Sequence, residues 1–166
     1  TIVKEATKME KMLISGVEKD ENVCRISIIG VPDRPGFAFR LFSKLAAKNI
    51  NVDIILQSVG RNGTKDISFT ISSDNLKETL DILQSYVEST GANCVDYNDN
   101  IAKVSIVGAG MESHPGVASE MFEALFEANI NIHMISTSEI KISVLIDRAD
   151  ADKAVSAIHD KFFDVE

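Results

Sequence analysis

Apolar and polar positions along the chain fall into alternating strand-like and helix-like stretches. Arg25 to Val31 alternates weakly and is apolar enough for a strand. Pro35-Gly36 then opens a helix in which Ala38, Leu41, Phe42 and Leu45 share one face. Asn49 suits the end of that helix, because Asn tolerates the left-handed backbone conformation found there. Two further strand-like runs follow, Val52 to Val59 and Asp66 to Ser72, with Arg61-Asn62-Gly63 as the turn between them. Leu76, Leu80, Leu83 and Val87 mark a second helix, and Asn93 to Tyr97 a short closing strand. The order is βαββαβ. It predicts an α+β, ferredoxin-like domain: a four-stranded antiparallel sheet in the order 4-1-3-2, with both helices on one face.

The pattern then repeats. Ser27-Ile28-Ile29-Gly30 returns as Ser105-Ile106-Val107-Gly108, Pro35-Gly36 as Pro115-Gly116, and Asn49-Ile50-Asn51-Val52 as Asn129-Ile130-Asn131-Ile132. Asp66-Ile67-Ser68-Phe69-Thr70-Ile71 matches Lys141-Ile142-Ser143-Val144-Leu145-Ile146, and the helix face Ala118, Met121, Phe122, Leu125 repeats the first one. The second copy stops early: after a last helix at about Asp152 to Phe162 only Phe163 to Glu166 remain, so it lacks a fourth strand of its own. Met12 to Val17 is a spare strand ahead of the first copy, and it completes the second sheet on this reading. The expected organisation is an N-terminal arm or linker at 1–10, a first domain at 23–98, and a second domain made of 11–18 plus 99–166, with the first inserted into the second.

Composition narrows the chemistry. The 166 residues carry a formal charge of −8, which disfavours nucleic acid and anionic membranes, since both are held by clustered Lys and Arg. Apolar residues make up 45%, enough for packed cores, yet no apolar run approaches the roughly 18 residues that span a bilayer. The expected setting is cytoplasmic. Cys24 and Cys94 match no metal or redox spacing and read as reduced core residues. The start at Thr1 reads as a cut from a longer protein or a processed terminus.

Catalytic constellations are thin. His114, His133 and His159 pair with no Cys or second His at ligand spacing, so no metal site is expected. No nucleophile elbow is present, and Gly108-Ala109-Gly110 lacks the third glycine of a dinucleotide fingerprint and reads as a tight turn. No catalytic residue and no cofactor are expected. The two loops before the first helix of each copy are more informative. They bring chain to a helix N-terminus, where free N–H groups and the helix dipole attract a carboxylate. Asp33 beside the first such end could accept an ammonium group, which together would suit a zwitterionic amino acid. The alternative is that Asp33 and Ser113 cap their helices. His114 before its Pro-Gly turn and the hydroxyl-rich run Ser136-Thr137-Ser138-Glu139 are weaker candidates, so Ser113, His114, Gly116, Thr137 and Ser138 form a possible second effector site, against simple edge-strand polarity.

These segments carry a family resemblance. Val31-Pro32-Asp33-Arg34-Pro35-Gly36, Asn49-Ile50-Asn51-Val52-Asp53 and Asp66-Ile67-Ser68-Phe69-Thr70 resemble the first ACT domain of aspartokinases. Lys103 to Met111, Ser113-His114-Pro115-Gly116-Val117-Ala118 and Met134 to Val144 resemble the second, so the likeness covers nearly everything beyond about Met9. It implies the regulatory part of an aspartate kinase, an ATP-dependent phosphotransferase making aspartyl phosphate. That part senses lysine, threonine or both for feedback inhibition. By the same resemblance the effector contacts are Asp33, Gly36, Ala38 and Gln57 in the first domain, with Asn129, Asn131 and Ile132 from a partnering ACT domain, within a chain or across a homodimer joined through sheet edges. The chain departs from common family residues at Arg34 and Phe37, the latter beside the helix start. The Lys-Phe-Gly-Gly segment of the kinase domain is missing, so the implied partner is an aspartokinase catalytic domain or subunit. The competing readings are a structural ACT dimerisation module without effector binding, and a small stand-alone enzyme.

Overall fold

A computed structural model describes residues 14–108, 114 and 116–163. The chain divides into two compact units: Asn22–Asn100, and the residues up to Glu21 together with those from Ile101 onward. Strand β1, Ile14–Asp20, belongs to the second unit. The first unit follows as β2 (Cys24–Pro32), α1 (Phe37–Ala47), β3 (Ile55–Gln57), β4 (Thr64–Ile71), α2 (Leu76–Thr90) and β5 (Cys94–Asn98). The second resumes with β6 (Ile101–Gly108), α3 (Gly116–Glu127), β7 (Met134–Thr137), β8 (Lys141–Asp147) and α4 (Ala151–Phe163).

The sheets are ordered β3-β4-β2-β5 and β1-β6-β8-β7, antiparallel throughout. The two orders are the same, with β1 standing in the second sheet where β5 stands in the first. It pairs with β6 from Ile14↔Gly108 to Asp20↔Lys103. The arm expected at 1–10, Met12 and Leu13 of the expected spare strand, Ala109 and Gly110 of the expected turn, and Ser113 lie outside the described residues.

Each unit buries one face of its sheet under its two helices. Ile26, Ile28, Leu41, Leu45, Phe69 and Leu83 are fully covered in the first, and Val104, Ile106, Met121, Leu125, Val144, Ile146, Ile158 and Phe162 in the second. Burying side chains of this size supplies about 1.5–3 kcal/mol each, before the entropy of ordering them. At matching positions a pair of serine hydroxyls satisfies itself across neighbouring strands: Ser27 with Ser68 at 2.8 Å and Ser105 with Ser143 at 2.7 Å. Both first helices end as the Asn residues suggested. Asn49 and Asn129 take φ of 58° and 59°, and the N–H groups of the following Ile50 and Ile130 donate back to Leu45 and Leu125. That reversal drops each Ile into its core.

Two expectations are corrected, the length of β3 and the burial of Cys94. Strand β3 is three residues long, not the run Val52 to Val59. Backbone bonds from the Asp53 N–H to the Thr70 carbonyl and from the Ser58 N–H to the Asp66 carbonyl carry the pairing past both ends of β3, and the Thr70 and Ser58 hydroxyls take the Ile54 and Asp66 N–H groups beside them. Leu76, Leu83 and Val87 of α2 pack into the first core as their spacing suggests, and the buried Thr79 and Tyr86 share the helix's inner side, the Tyr86 hydroxyl donating to the Phe37 carbonyl at 3.3 Å. Cys24 is buried as expected, but Cys94 is exposed at the start of β5. Burial, helped by the negative charge of Asp99, pushes the Cys24 thiol up to about 11, so it stays protonated. No helix among the described residues is long and apolar enough to cross a membrane.

Candidate functional site

The loop between β2 and α1 is shaped by a bulge. Register slips between Ile28 and Val31, where Gly30 takes φ of 72° and its N–H donates to the Asp66 carboxylate at 3.0 Å. Glycine is needed because a side chain there would be strained and would overlap Asn93. Beyond the bulge, Val31 and Pro32 pair with Lys65 and Thr64, and the Asp33 N–H donates to the Gly63 carbonyl at 2.9 Å. Asp33 is thus laid across the β4 end of the Arg61–Thr64 turn. Gly36, at φ of 93°, turns the chain into α1.

No side chain caps α1, and no acidic residue occupies its first turn. Of the two readings of Asp33 left open above, the capping one does not hold. The N-terminal end of this helix keeps its dipole and its first N–H groups for another partner. Gly36 is exposed and Ala38 half-buried at that end. Phe37 is buried, its ring 5.1 Å from that of Tyr86, and with Arg34, Arg40 and Tyr86 it lines a cavity of about 210 Å³ at the helix start. Arg34 and Arg40 surround the same helix start. Burial raises the Tyr86 phenol above its ordinary range, and the two guanidinium charges pull against it.

Two residues that sequence reasoning missed hold the Asp33 carboxylate. Lys65 Nζ lies 3.1 Å from Oδ1, and the other oxygen packs against Gly60, where an added Cβ would overlap it. Lys65 continues the inward series Ile67, Phe69, Ile71 along β4, a break in apolar alternation that was the available signal. Gln57 sits opposite Ile67, on the same face and at the same end of the sheet as Lys65. Asp33, Gly36, Ala38, Gln57 and Lys65 therefore belong to one end of the first unit. Gly60→Ala should displace the Asp33 carboxylate while leaving the hydrophobic core intact. The expected result is unchanged far-UV circular dichroism with any Asp33-dependent binding weakened about tenfold; full binding by this variant would count against the placement of Asp33.

Asn129, Asn131 and Ile132 lie in the second unit, between α3 and β7, with both Asn exposed and Ile132 half-buried. Their counterparts in the first unit, Asn49, Asn51 and Val52, line an open cleft of about 440 Å³ with Phe42, Ala46 and Ile55. Of the second candidate set, His114 is half-buried, with its carbonyl accepting from the Val117 N–H, and Gly116 starts α3. Thr137 ends β7 opposite Ile142, while Ser138 closes the following turn through its N–H to the Lys141 carbonyl. His133 is exposed, with its Nε2 2.7 Å from the Asp147 carboxylate. Among the described residues no cluster of three metal-ligating side chains occurs.

Comparison with known proteins places this arrangement. ACT domain models match residues 25–88 and 104–162. The aspartokinase of Helicobacter pylori is 51% identical over 152 residues, 92% of this chain but 37% of that enzyme, so the chain spans little more than a third of that relative's length. The crystal structure of aspartokinase alpha and beta subunits contains a chain 47% identical, with a TM-score of 0.82 and coverage of 90% of this chain and 98% of that one. The ligand-free regulatory subunit of aspartate kinase from Thermus thermophilus is 39% identical, with a TM-score of 0.85 over 90% and 99% of the two chains. Two ACT domains in one order, matched end to end by regulatory subunits, place this chain in the aspartokinase family as its tandem ACT regulatory region.

Proposed function

We propose that this region binds a free amino acid, lysine or threonine, and passes that signal as feedback inhibition to an aspartokinase catalytic domain or subunit in the cytoplasm. The observation that carries the reading is the uncapped start of α1 beside Asp33. It offers N–H donors for a carboxylate and a carboxylate for an ammonium within one turn of chain. Gln57 supplies an amide on the same sheet end. The amides of Asn129 or Asn131 of a second copy complete the polar shell, Ile132 adds an apolar contact, and the edge strands bring the copies together. Strands β3 and β7 are edges that expose Ile55, Leu56 and Ile135 and contain no Pro, the kind of edge that pairs with another. A ligand shared by two domains binds the assembled state best and shifts the population towards it.

The test is calorimetry of this chain with lysine and threonine, separately and together, read alongside thermal unfolding and light scattering. An effector at about 100 times its Kd adds roughly 2.7 kcal/mol, a rise in Tm of roughly 5 °C or more. A dimer in the presence of effector is the expected assembly. No heat and no Tm change with either amino acid at millimolar concentration would sink the reading.

A further inference from the structure

The Asp33 carboxylate, which the proposed function assigns to an effector's ammonium, already holds an ammonium. Lys65 Nζ sits 3.1 Å from it, and the lysine side chain is only 14% exposed against 42% for Asp33. Its stem is sheltered, and its charged end meets the carboxylate at Oδ1. The Asp33 backbone is held by its N–H bond to the Gly63 carbonyl, and its second oxygen lies against Gly60. No other carboxylate pairs with Lys65 among the described residues. Arg34 and Arg40 add two more cations at the same helix start, with no acidic partner among the described residues.

We infer that Lys65 is a resident cation standing in for the effector's ammonium, and that it sets the affinity and charge selectivity of the site. This inference rests on the reading of Asp33 as an effector contact. Binding is then an exchange: the incoming ammonium takes a carboxylate lone pair that Lys65 held, and Lys65 stays within a few ångströms because its stem is enclosed. Like charges at about 4–6 Å repel. The cost is greater for an amino acid with a second positive charge than for one with a neutral side chain, since Lys65, Arg34 and Arg40 already place positive charge around the helix start. Lys65 is a specificity-determining residue on this account. It also keeps Asp33 neutralised when no effector is present, so the free site is not left with an unpaired charge.

The experiment titrates the full chain and its Lys65→Met and Lys65→Gln variants with threonine and with lysine by calorimetry, at low and at high salt. Lys65→Arg, which keeps the charge, is the control. Releasing a partly exposed ion pair is worth about 2- to 5-fold in affinity. Both neutral variants should bind threonine tighter by that factor and lysine tighter by a larger one, while Lys65→Arg stays near wild type. The gap between wild type and the neutral variants should narrow as salt screens the competing charge. Neutral variants that bind equally or more weakly than wild type, with wild type binding normally, would overturn this inference and leave the effector site standing. Absence of binding to wild type itself would overturn the effector reading and this inference with it.

Discussion

Deleting residues 1–18 should unfold the second unit first, with Ile101 to Phe163 losing protection while Asn22 to Asn100 keeps its own. The deletion takes most of β1, which pairs along nearly the whole length of β6. It also removes Val17, which packs against the second core, and Glu18, whose carboxylate lies 3.5 Å from Lys141 Nζ. The ladder hydrogen bonds are worth about 1 kcal/mol each net, and burying a Val about 1.5–3 kcal/mol. Together these come to on the order of 5 kcal/mol, comparable to the whole stability of a small domain. The exposed ion pairs of β1 add little, since such pairs are worth about 0–1 kcal/mol. The loss would turn β6 into an edge. Its buried residues Ile101, Ala102, Val104, Ser105 and Ile106 make it a poor one, so aggregation should accompany unfolding. Hydrogen exchange read by mass spectrometry separates the units; equal protection of Ile101 to Phe163 in the deletion and in wild type would refute the role given to β1.

Asp33→Ala should weaken effector binding by about 1.5–3 kcal/mol, a loss of roughly 10- to 150-fold. The ligand's ammonium would lose its charged acceptor and face Lys65 with nothing between them. Stability should change far less, because Asp33 is exposed and its ion pair is only partly sheltered. Asp33→Asn keeps the shape and one acceptor oxygen, so it should fall between the two. Calorimetry on both variants checks this, and wild-type affinity in Asp33→Ala would remove Asp33 from the site. Comparing Asp33→Ala with Gly60→Ala separates loss of the charge from its displacement.

Much of this architecture is written in local patterns. Helical spacing at Leu41 and Leu45, and alternation through Ile26 to Ile28, report which side of each element is buried, and those periods survive because one face of every element meets a core. Asn49 and Asn129 mark their helix ends by a conformational tolerance that needs no partner. The strand ahead of the first repeat was legible as one to spare, and β1 takes in the second sheet the place that β5 takes in the first. What only the tertiary structure decided is who meets whom across strands. Lys65 reaches Asp33 because the Gly30 bulge shifts β2 against β4 and brings Val31 opposite Lys65. One register step elsewhere would send that ammonium to the other face. The short β3 and the exposure of Cys94 were likewise settled by what each strand meets. The hydroxyls of Thr70, Ser58 and Tyr86 bond backbone groups brought near only by the fold, and such bonds leave no period in the sequence.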